Sequence, residues 1–404
     1  MKFGVCLQTQ NGFDVERFVQ AEDHGGAQTS DGVDDRIYAE ELRFGDLIEP
    51  LGFDSIWVTE HHFSTYTMIP DPLQMLTYFA ARTERVDLAT MVIVLPWHNP
   101  VRVAEQLAML QHMAGPNRQI MAGFGRGAGR REYGGIGADM TKTRQLFDES
   151  VHVVRGLLDN ERFSFQGEQF QVPNIAMRPE SPNLSVRPRP HDGKALTDNF
   201  YMAWGSPESM PIAARLGLKP LIIPQRAIGN YEAELQQYNA LRAEAGYQPT
   251  NPMVHLHCQC VETDAEAQDR IQQEVIYNRN AAVNYEFMGD HFKKLPGYES
   301  YAARREARTT AQAAGPSTTL TGIEGPADGS AGLLDWSLTG TPDKIIKAIE
   351  YISNWVHPNH MNAVFKYAEM TYEQAEKSLK LFAKEVLPAV HEMKVLDPIA
   401  GDGA

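Results

Sequence analysis

Cysteine, long apolar runs and positive charge are all scarce in this sequence. Only three cysteines occur among 404 residues. Two of them, Cys258 and Cys260, are one residue apart in an apparent strand, which is too close for an ordinary disulfide. This usage predicts a reducing, cytoplasmic location. No apolar run approaches the ~18 residues of a membrane-spanning helix, and the N-terminus lacks the pattern of a signal peptide.

The charge balance argues against two classes of partner. The 37 Lys and Arg residues are outnumbered by 52 Asp and Glu residues, which gives a formal net charge of −15. A nucleic-acid surface needs clustered Lys and Arg, and an anionic lipid surface repels an acidic protein. We therefore expect neither nucleic acid nor a membrane among the partners.

Short apolar segments alternate with helical patterns along the whole chain. The strand-like segments are 3–8, 53–63, 86–95, 118–124, 199–204, 218–223, 253–261 and 360–367. Eight strands that alternate with helices, without a second run of strands, predict one (β/α)8 TIM barrel spanning residues 1–404. Two polar segments interrupt it. We expect residues 11–36 to form an insertion loop after strand one, and residues 290–338 to form a mobile lid after strand seven.

The second strand ends in three adjacent ionisable side chains, Glu60, His61 and His62. Because successive side chains of a strand point to opposite faces, His61 shares a face with Trp57, and Glu60 and His62 lie on the other. His61 and His62 therefore lie on opposite faces of the strand, whereas the two histidine ligands of a helical zinc site lie on the same face. Two interpretations remain at this point: a catalytic His61 at the barrel mouth, or hydrogen bonds from all three residues to nearby loops.

A second group of residues has the chemistry of a phosphate site. It consists of Arg126 after strand four, Arg144 at the next helix, and Ser206 and Ser209 in the loop that begins at Gly205 after strand five. Guanidinium groups, hydroxyls and free helix N–H groups are the donors that a phosphate prefers. The structural alternative is that Arg126 pairs with a carboxylate and Ser206 caps the helix.

Two further groups allow other interpretations. His255 and His257 share one strand face with Gln259, which suggests a metal-dependent barrel hydrolase as an alternative. Neither strand one nor strand eight offers an obvious further metal ligand, so we expect these two imidazoles to belong to a polar wall inside the barrel. Three aromatic residues stand at strand ends: Trp97, Phe124 and Trp204. Their side chains could line an apolar substrate pocket or could simply pack in the protein core.

Several motifs in order give the chain a resemblance to a known family. The motifs are 60–63 (Glu-His-His-Phe), 93–96 (Ile-Val-Leu-Pro) with 99–102 (Asn-Pro-Val-Arg), 125–127 (Gly-Arg-Gly) with Asp139, Met140 and Arg144, and 206–209 with 213–217. With these motifs the chain resembles the bacterial luciferase family of flavin-dependent monooxygenases, particularly the α subunit, from strand one to the final helix.

The resemblance implies a cofactor and the residues that bind it. Arg126, Arg144, Ser206 and Ser209 would hold the phosphate of FMN, with Gly205 in the same loop, and His61 would stand beside the reactive edge of the isoalloxazine. The Met91–Val92 peptide matches a non-prolyl cis bond that presses on the flavin ring. Gly125 takes the place of a reactive cysteine of the luciferase α subunit, which predicts more open space beside the flavin there.

The resemblance also implies a two-component mechanism. A separate flavin reductase would supply reduced FMN, which reacts with dioxygen to a C4a-hydroperoxide that oxygenates a small, apolar organic molecule. His61 would exchange one proton, because an imidazole titrates near neutrality. The enzyme would act as a homodimer. The alternatives within the same fold are a deazaflavin-dependent oxidoreductase and a flavin-binding protein without catalytic activity.

Overall fold

Eight parallel strands close into a barrel in the computed structural model of the chain. The structure describes residues 1–14, 32–177, 179–204, 209–225, 227–286, 290–299, 301, 320–322 and 336–401. The strands in chain order are β1 (Lys2–Leu7), β2 (Ser55–Val58), β3 (Asp87–Val94), β4 (Ile120–Gly125), β5 (Phe165–Gln166), β6 (Gln171–Val172), β7 (Phe200–Trp204), β8 (Lys219–Ile222), β9 (Met253–Cys260), β10 (Leu338–Gly340) and β11 (His360–Val364). The (β/α)8 barrel that the sequence predicts is confirmed.

Parallel pairing runs round the barrel without a break. The order is β1, β2, β3, β4, β7, β8, β9 and β11, and β11 pairs with β1 to close the ring. The short strand β10 pairs with the C-terminal part of β9, from Cys258 to Cys260. It lies at the end of the predicted lid and was not foreseen, because three residues carry no usable periodicity. The antiparallel pair β5 and β6 forms a separate two-stranded sheet.

Helices surround the barrel and connect consecutive strands. They are α1 (Val33–Gly45), α2 (Pro72–Arg82), α3 (Pro100–Ala114), α4 (Arg130–Ile136), α5 (Thr143–Asp159), α6 (Gly193–Thr197), α7 (Met210–Arg215), α8 (Gly229–Glu244), α9 (Asp264–Asn284), α10 (Pro342–Val356), α11 (Tyr372–Glu385) and α12 (Leu387–Glu392). Local chemistry sets where several of them begin. Asp71 and Asn99 cap α2 and α3 with side-chain hydrogen bonds, and a proline follows each cap in the first turn.

The two long polar segments are only partly described. Helix α1 begins at Val33, so the insertion after β1 is shorter than the predicted 11–36 loop, and residues 15–31 of it lie outside the described residues. Within the predicted lid, a short 3-10 helix covers Asp290–Lys294, and residues 300, 302–319 and 323–335 lie outside the described residues. In the described parts of the chain, no helix has the length and apolar character needed to cross a membrane.

Buried side chains fill the N-terminal half of the barrel. Ser55 and His360 stand at the starts of β2 and β11, and the Ser55 hydroxyl lies 2.8 Å from His360 Nε2. The indole N–H of Trp57 donates to the same hydroxyl over 2.7 Å. Burial lowers the pKa of His360 to about 3, so this imidazole is neutral in the folded protein. A filled lower half leaves the carboxyl ends of the strands as the place for a site.

Candidate active site at the carboxyl ends of the strands

Side chains that are far apart in sequence meet where the parallel strands end. His61 follows β2, Arg126 follows β4 and Ser209 follows β7, and all three strands run in the same direction. Strands β4 and β7 are neighbours, with Phe124 opposite Met202, so their carboxyl ends lie side by side. The barrel therefore brings His61, Arg126 and Ser209 to one rim.

Both ring nitrogens of His61 are hydrogen bonded. Nδ1 lies 2.9 Å from Glu132 Oε1, and Nε2 lies 2.9 Å from the hydroxyl of Tyr285. The rings of Tyr66 and Tyr285 pack edge-on against the imidazole, with centroids 5.2 Å and 5.4 Å away. An ionised carboxylate only accepts hydrogen bonds, so Glu132 places the proton of a neutral His61 on Nδ1. The lone pair of Nε2 then faces the Tyr285 O–H.

Glu132 is the central residue that the sequence did not reveal. It lies in the first turn of α4, is almost completely buried, and accepts a second hydrogen bond of 2.9 Å from the backbone N–H of His62. Its other oxygen has no partner among the described residues. A Cβ at Gly129 would come within 2.0 Å of that oxygen, so the glycine-rich loop leaves room for the carboxylate.

Glu60 and His62 make supporting contacts from the loop after β2, because the strand predicted over residues 53–63 ends at Val58. Glu60 is buried and accepts hydrogen bonds from Nε2 of His98 over 2.7 Å, from Nε2 of His62 over 3.1 Å, and from the N–H of Val94. Burial alone would raise the pKa of Glu60, but the hydrogen bonds from His62 and His98 outweigh it and the pKa is lowered. Burial would lower the pKa of His98, and Glu60 reverses that shift and raises it. Both shifts favour a charged pair.

Arg126 and Arg144 converge on the described part of the predicted lid. Arg126 Nη2 donates to the carbonyl oxygen of Gly297 over 3.1 Å, and its guanidinium lies 5.1 Å from the ring centre of Tyr298. A Cβ at Gly297 would lie 2.9 Å from Arg126 Nη1 and 2.5 Å from Arg144 Nε. Nη1 of Arg126 is buried without a partner among the described residues. Two guanidinium groups and one unused donor fit an anion such as a phosphate.

Nearby carboxylates respond to this positive region. The backbone N–H of Gly297 lowers the pKa of Glu299, and the charges of Arg144 and Arg126 add to that effect. Burial raises the pKa of Asp148, while Arg215 and Arg144 oppose the change. Both carboxyl groups therefore lie close enough to Arg144 and Arg126 for the guanidinium charges to act on their pKa values.

The serine loop after β7 is described only in part. Ser209 is buried and stands immediately before α7. Gly205 and Ser206 lie outside the described residues, so the structure adds nothing to their predicted role.

The backbone of β3 has the unusual bond that the resemblance implies. The peptide between Met91 and Val92 is cis. The expectation of open space at Gly125 is wrong, however. A Cβ at Gly125 would lie 2.5 Å from Cγ2 of Val92, so the valine side chain occupies the volume that a larger residue would need.

The three aromatic candidates for a substrate pocket separate into two groups. Phe124 and Trp204 are 0% exposed and pack against Phe200 and Tyr238, with ring centres 4.8 Å and 5.6 Å apart. The structure thus corrects their prediction: they are packing residues of the core and do not line an open pocket. Trp97 instead lies at the rim, where its ring is 5.2 Å from His62 and 5.5 Å from Tyr133.

His255 and His257 face the barrel interior but bind different partners. His255 Nδ1 lies 2.6 Å from Asn362 Oδ1, and His257 Nδ1 lies 2.8 Å from Glu274 Oε1. Burial lowers the pKa of His255 to about 3. Among the residues that the structure describes, no group of three or more His, Cys, Asp or Glu side chains is placed to hold a metal ion.

Comparisons with known proteins point to one family. Residues 1–356 match the family described as luciferase-like monooxygenase. The chain is 22% identical to the alkanal monooxygenase alpha chain of Photorhabdus laumondii, over 87% of this chain and 92% of that protein. It spans about half the length of several other curated relatives that it matches.

Two solved structures share the fold. The oxygenating constituent of 3,6-diketocamphane monooxygenase from Pseudomonas putida, in complex with FMN, has a TM-score of 0.65 and 19% identity, covering 98% of this chain and 99% of that chain. The coenzyme F420 dependent tetrahydromethanopterin reductase from Methanopyrus kandleri has a TM-score of 0.59 and 14% identity, covering 96% and 98%. The barrel, the ordered motifs and the match over residues 1–356 together show that the chain belongs to the luciferase-like monooxygenase family.

Proposed function

We propose that the protein is a two-component monooxygenase that takes up reduced FMN from a separate reductase. The observation that carries the proposal is the combination at one rim of the His61 and Glu132 pair with the converging guanidinium groups of Arg126 and Arg144. The first group can exchange a proton and the second can hold a phosphate. A family whose members include alkanal monooxygenase supports the same chemistry.

The chain's own residues would divide the work between binding and proton exchange. Arg126, Arg144 and Ser209 would bind the phosphate, with Ser206 and Gly205 from the same loop. Met91, Val92 and Gly125 would contact the flavin ring through the backbone of β3 and β4. Bound reduced FMN would supply, with dioxygen, the oxygen atom that is inserted into the substrate.

His61 would hold the proton that the oxygenation needs. Glu132 fixes the imidazole through Nδ1, so Nε2 is the nitrogen that can accept a proton. The Tyr285 hydroxyl, 2.9 Å from Nε2, can pass the proton on or take it back. Side-chain exposure of His61 is 11%, so the imidazole itself has little contact with solvent.

The test is an anaerobic titration of the purified protein with reduced FMN, followed by mixing with dioxygen. We expect saturable binding, and then a transient absorbing species that forms before oxidised flavin appears. Absence of reduced-FMN binding would refute the proposal. Tight binding of reduced F420 in its place would favour the deazaflavin-dependent oxidoreductase, and a stoichiometric bound metal would favour the hydrolase.

The remaining parts of the proposal rest on the resemblance and on composition. They are the reductase partner, a small organic substrate, a homodimer and a cytoplasmic location. Size-exclusion chromatography with light scattering tests the dimer, and a measured mass of about 45 kDa, that of one chain, would contradict it.

A further inference from the structure

A tight turn within the predicted lid covers part of the proposed phosphate site. Residues 295–298, Leu-Pro-Gly-Tyr, form a β-turn in which the N–H of Tyr298 donates to the carbonyl oxygen of Leu295 over 3.3 Å. Gly297, the third residue of the turn, has a φ of 84°. Proline in the second position and a glycine with positive φ in the third are typical of a type II turn. We call residues 295–298 the Pro-Gly turn.

The Pro-Gly turn packs directly against the guanidinium groups of Arg126 and Arg144. The carbonyl oxygen of Gly297 accepts a hydrogen bond of 3.1 Å from Arg126 Nη2. A Cβ at Gly297 would lie 2.5 Å from Arg144 Nε and 2.9 Å from Arg126 Nη1, so not even a methyl group fits between the glycine and these nitrogens. Nη1, which has no partner among the described residues, is itself buried. An anion therefore reaches this face of the two guanidinium groups only after the turn has moved.

The turn presents to the arginines the same kind of atoms that a phosphate would present. Beside the Gly297 carbonyl oxygen lies the carboxylate of Glu299, whose Oε1 accepts a hydrogen bond of 2.9 Å from the Gly297 N–H. That hydrogen bond lowers the pKa of Glu299, and the charges of Arg144 and Arg126 add to the effect. Carbonyl and carboxylate oxygens are hydrogen-bond acceptors, as phosphate oxygens are. The chain thus carries its own competitor for the proposed ligand.

Contacts away from the phosphate site hold the turn in this position. The Tyr298 hydroxyl donates to the carbonyl oxygen of Gly127 over 2.6 Å. Tyr298 also belongs to a small apolar cluster that is separate from the main core. The other buried members of this cluster are Ala128, Tyr133, Met140 and Phe292. A segment held by so few buried contacts can open while the rest of the protein stays folded.

We propose that the Pro-Gly turn is an autoinhibitory contact, which occupies the guanidinium groups of Arg126 and Arg144 until a phosphate-bearing ligand displaces it. This inference rests on the proposed function, because it concerns how the proposed phosphate site is opened. The apparent affinity for an anion is then the affinity of the open site multiplied by the fraction of molecules in which the turn is displaced. A change that weakens the contacts of the turn, and leaves the arginines intact, should strengthen anion binding. A turn that completed the site would give the opposite result.

Tyr298→Phe tests this sign with inorganic phosphate as the only ligand. The change removes the hydroxyl that donates to Gly127 but keeps the aromatic ring and both arginines. Isothermal titration calorimetry should give a phosphate dissociation constant about threefold to tenfold lower than that of the wild-type protein, the effect of one lost hydrogen bond on the covered state. Tyr238→Phe is the matched control. It removes a buried hydroxyl that donates over 2.7 Å to the carbonyl oxygen of Leu218, just before β8 and away from the rim, and should leave phosphate binding unchanged.

Gly297→Ala weakens the covered state by a second route. The added Cβ would meet both guanidinium groups, and alanine rarely adopts the positive φ of this position. We expect phosphate to bind about tenfold more tightly than in the wild-type protein. Gly246→Ala is the control, because Gly246 has a φ of 85° and an added Cβ there would meet nothing within 4 Å.

Hydrogen exchange followed by mass spectrometry reports the movement of the turn itself. A ligand that only adds contacts slows amide exchange where it binds, whereas displacement exposes amides that were covered. Saturating phosphate should therefore speed up exchange in peptides from residues 290–299. Peptides from α3 serve as the internal reference and should exchange at the same rate with and without phosphate.

Four outcomes would overturn the inference. They are unchanged or weaker phosphate binding in Tyr298→Phe, slower exchange of residues 290–299 with phosphate, no phosphate binding by either protein at millimolar concentration, and equal phosphate affinity in Tyr298→Phe with and without Arg126→Ala. The last would mean that the phosphate binds elsewhere.

Failure of the flavin proposal is recognised separately, because these experiments contain no flavin. A protein that gives the expected results with phosphate but does not bind reduced FMN would contradict the proposed function alone. Equal affinity of the wild-type protein and Tyr298→Phe for reduced FMN, with clear binding by both, would contradict the autoinhibitory turn alone.

Discussion

Oε1 of Glu132 lies 2.9 Å from Nδ1 of His61 and also 2.9 Å from the backbone nitrogen of His62. One buried carboxylate oxygen therefore fixes both the imidazole and the chain segment that carries it. Charge-assisted hydrogen bonds of this kind are stronger than neutral ones. The orientation and the protonated nitrogen of His61 both depend on Glu132.

The first prediction follows from that dependence. Glu132→Gln keeps the size of the side chain but removes its charge, so the proton on Nδ1 is no longer enforced. We expect the yield of product per flavin oxidised to fall about tenfold or more, in the range of general acid–base contributions. The affinity for reduced FMN should stay within a factor of about two. Glu105→Gln, on the outer face of α3, is the control. A normal product yield in Glu132→Gln would disprove the role of Glu132 in orienting His61.

The second prediction concerns His61 itself. His61→Ala removes the group that exchanges the proton but leaves the arginines in place, so flavin affinity should change little while product formation is lost. Oxidation of reduced FMN should continue and release hydrogen peroxide without product. Comparing peroxide with product gives the measurement, and His112→Ala, an exposed histidine of α3, provides the matched control. Unaltered coupling would contradict the proposal.

The third prediction tests the phosphate site. Removing a guanidinium group from a phosphate costs about 1.5 to 3 kcal/mol, the usual worth of a charge-assisted hydrogen bond. Arg126→Ala and Arg144→Ala should therefore each weaken binding of reduced FMN about tenfold to about a hundredfold. Riboflavin, which lacks the phosphate, should lose much less affinity. Arg102 has an exposed side chain on α3, so Arg102→Ala is the control and should change neither the reduced FMN affinity nor the riboflavin affinity. An unchanged dissociation constant for reduced FMN in Arg126→Ala would place the phosphate elsewhere.

The sequence predicted the part of the site that follows from barrel topology. Parallel strands bring His61, Arg126 and Ser209, which follow β2, β4 and β7, to one rim, because the C-terminal ends of all barrel strands share one face. The strand predicted over residues 53–63 is too long, however, because β2 ends at Val58. His61 is separated from Glu60 and His62 by the hydrogen bonds that each makes in the loop after β2.

The partners of His61 could not be predicted in the same way. Glu132 is 71 positions away and Tyr285 is 224 positions away, and each approaches only when α4 and α9 fold back over the rim. No local sequence pattern predicts that these distant residues approach His61. The direction of Phe124 was also missed, because a phenylalanine at a strand end can pack outward on Phe200 or inward on a pocket with equal propensity.

The fourth prediction uses the close approach of Val92 to Gly125. A methyl group at Gly125 would overlap Cγ2 of Val92, and a valine side chain has few rotamers with which to escape. Gly125→Ala should lower the free energy of unfolding by about 1 to 3 kcal/mol, and Val92→Ala should recover about 1 kcal/mol of it in the double variant. Denaturant unfolding measures both effects. Gly134→Ala, where nothing lies within 4 Å of the added Cβ, is the control, and strictly additive effects would disprove the overlap.

The fifth prediction concerns Lys366, whose ammonium group is buried just after β11. It donates to the carbonyl oxygen of Gln10 over 2.9 Å, and burial lowers its pKa from 10.5 to about 8 although Glu41 opposes the shift. Between these two values the unfolded chain binds more protons than the folded protein, so the free energy of unfolding rises with pH. Lys366→Met lacks this titration. The wild-type stability relative to Lys366→Met should therefore increase by up to about 3 kcal/mol across that interval.

Urea unfolding of both proteins at several pH values across that interval supplies the comparison, since other groups that titrate there contribute equally to each and cancel in the difference. The same Lys→Met change at Lys347 on α10, whose side chain is exposed, is the matched control. A difference between wild type and Lys366→Met that stays constant with pH would mean that the Lys366 ammonium keeps its ordinary pKa, and that Glu41 and the Gln10 carbonyl compensate fully for its burial.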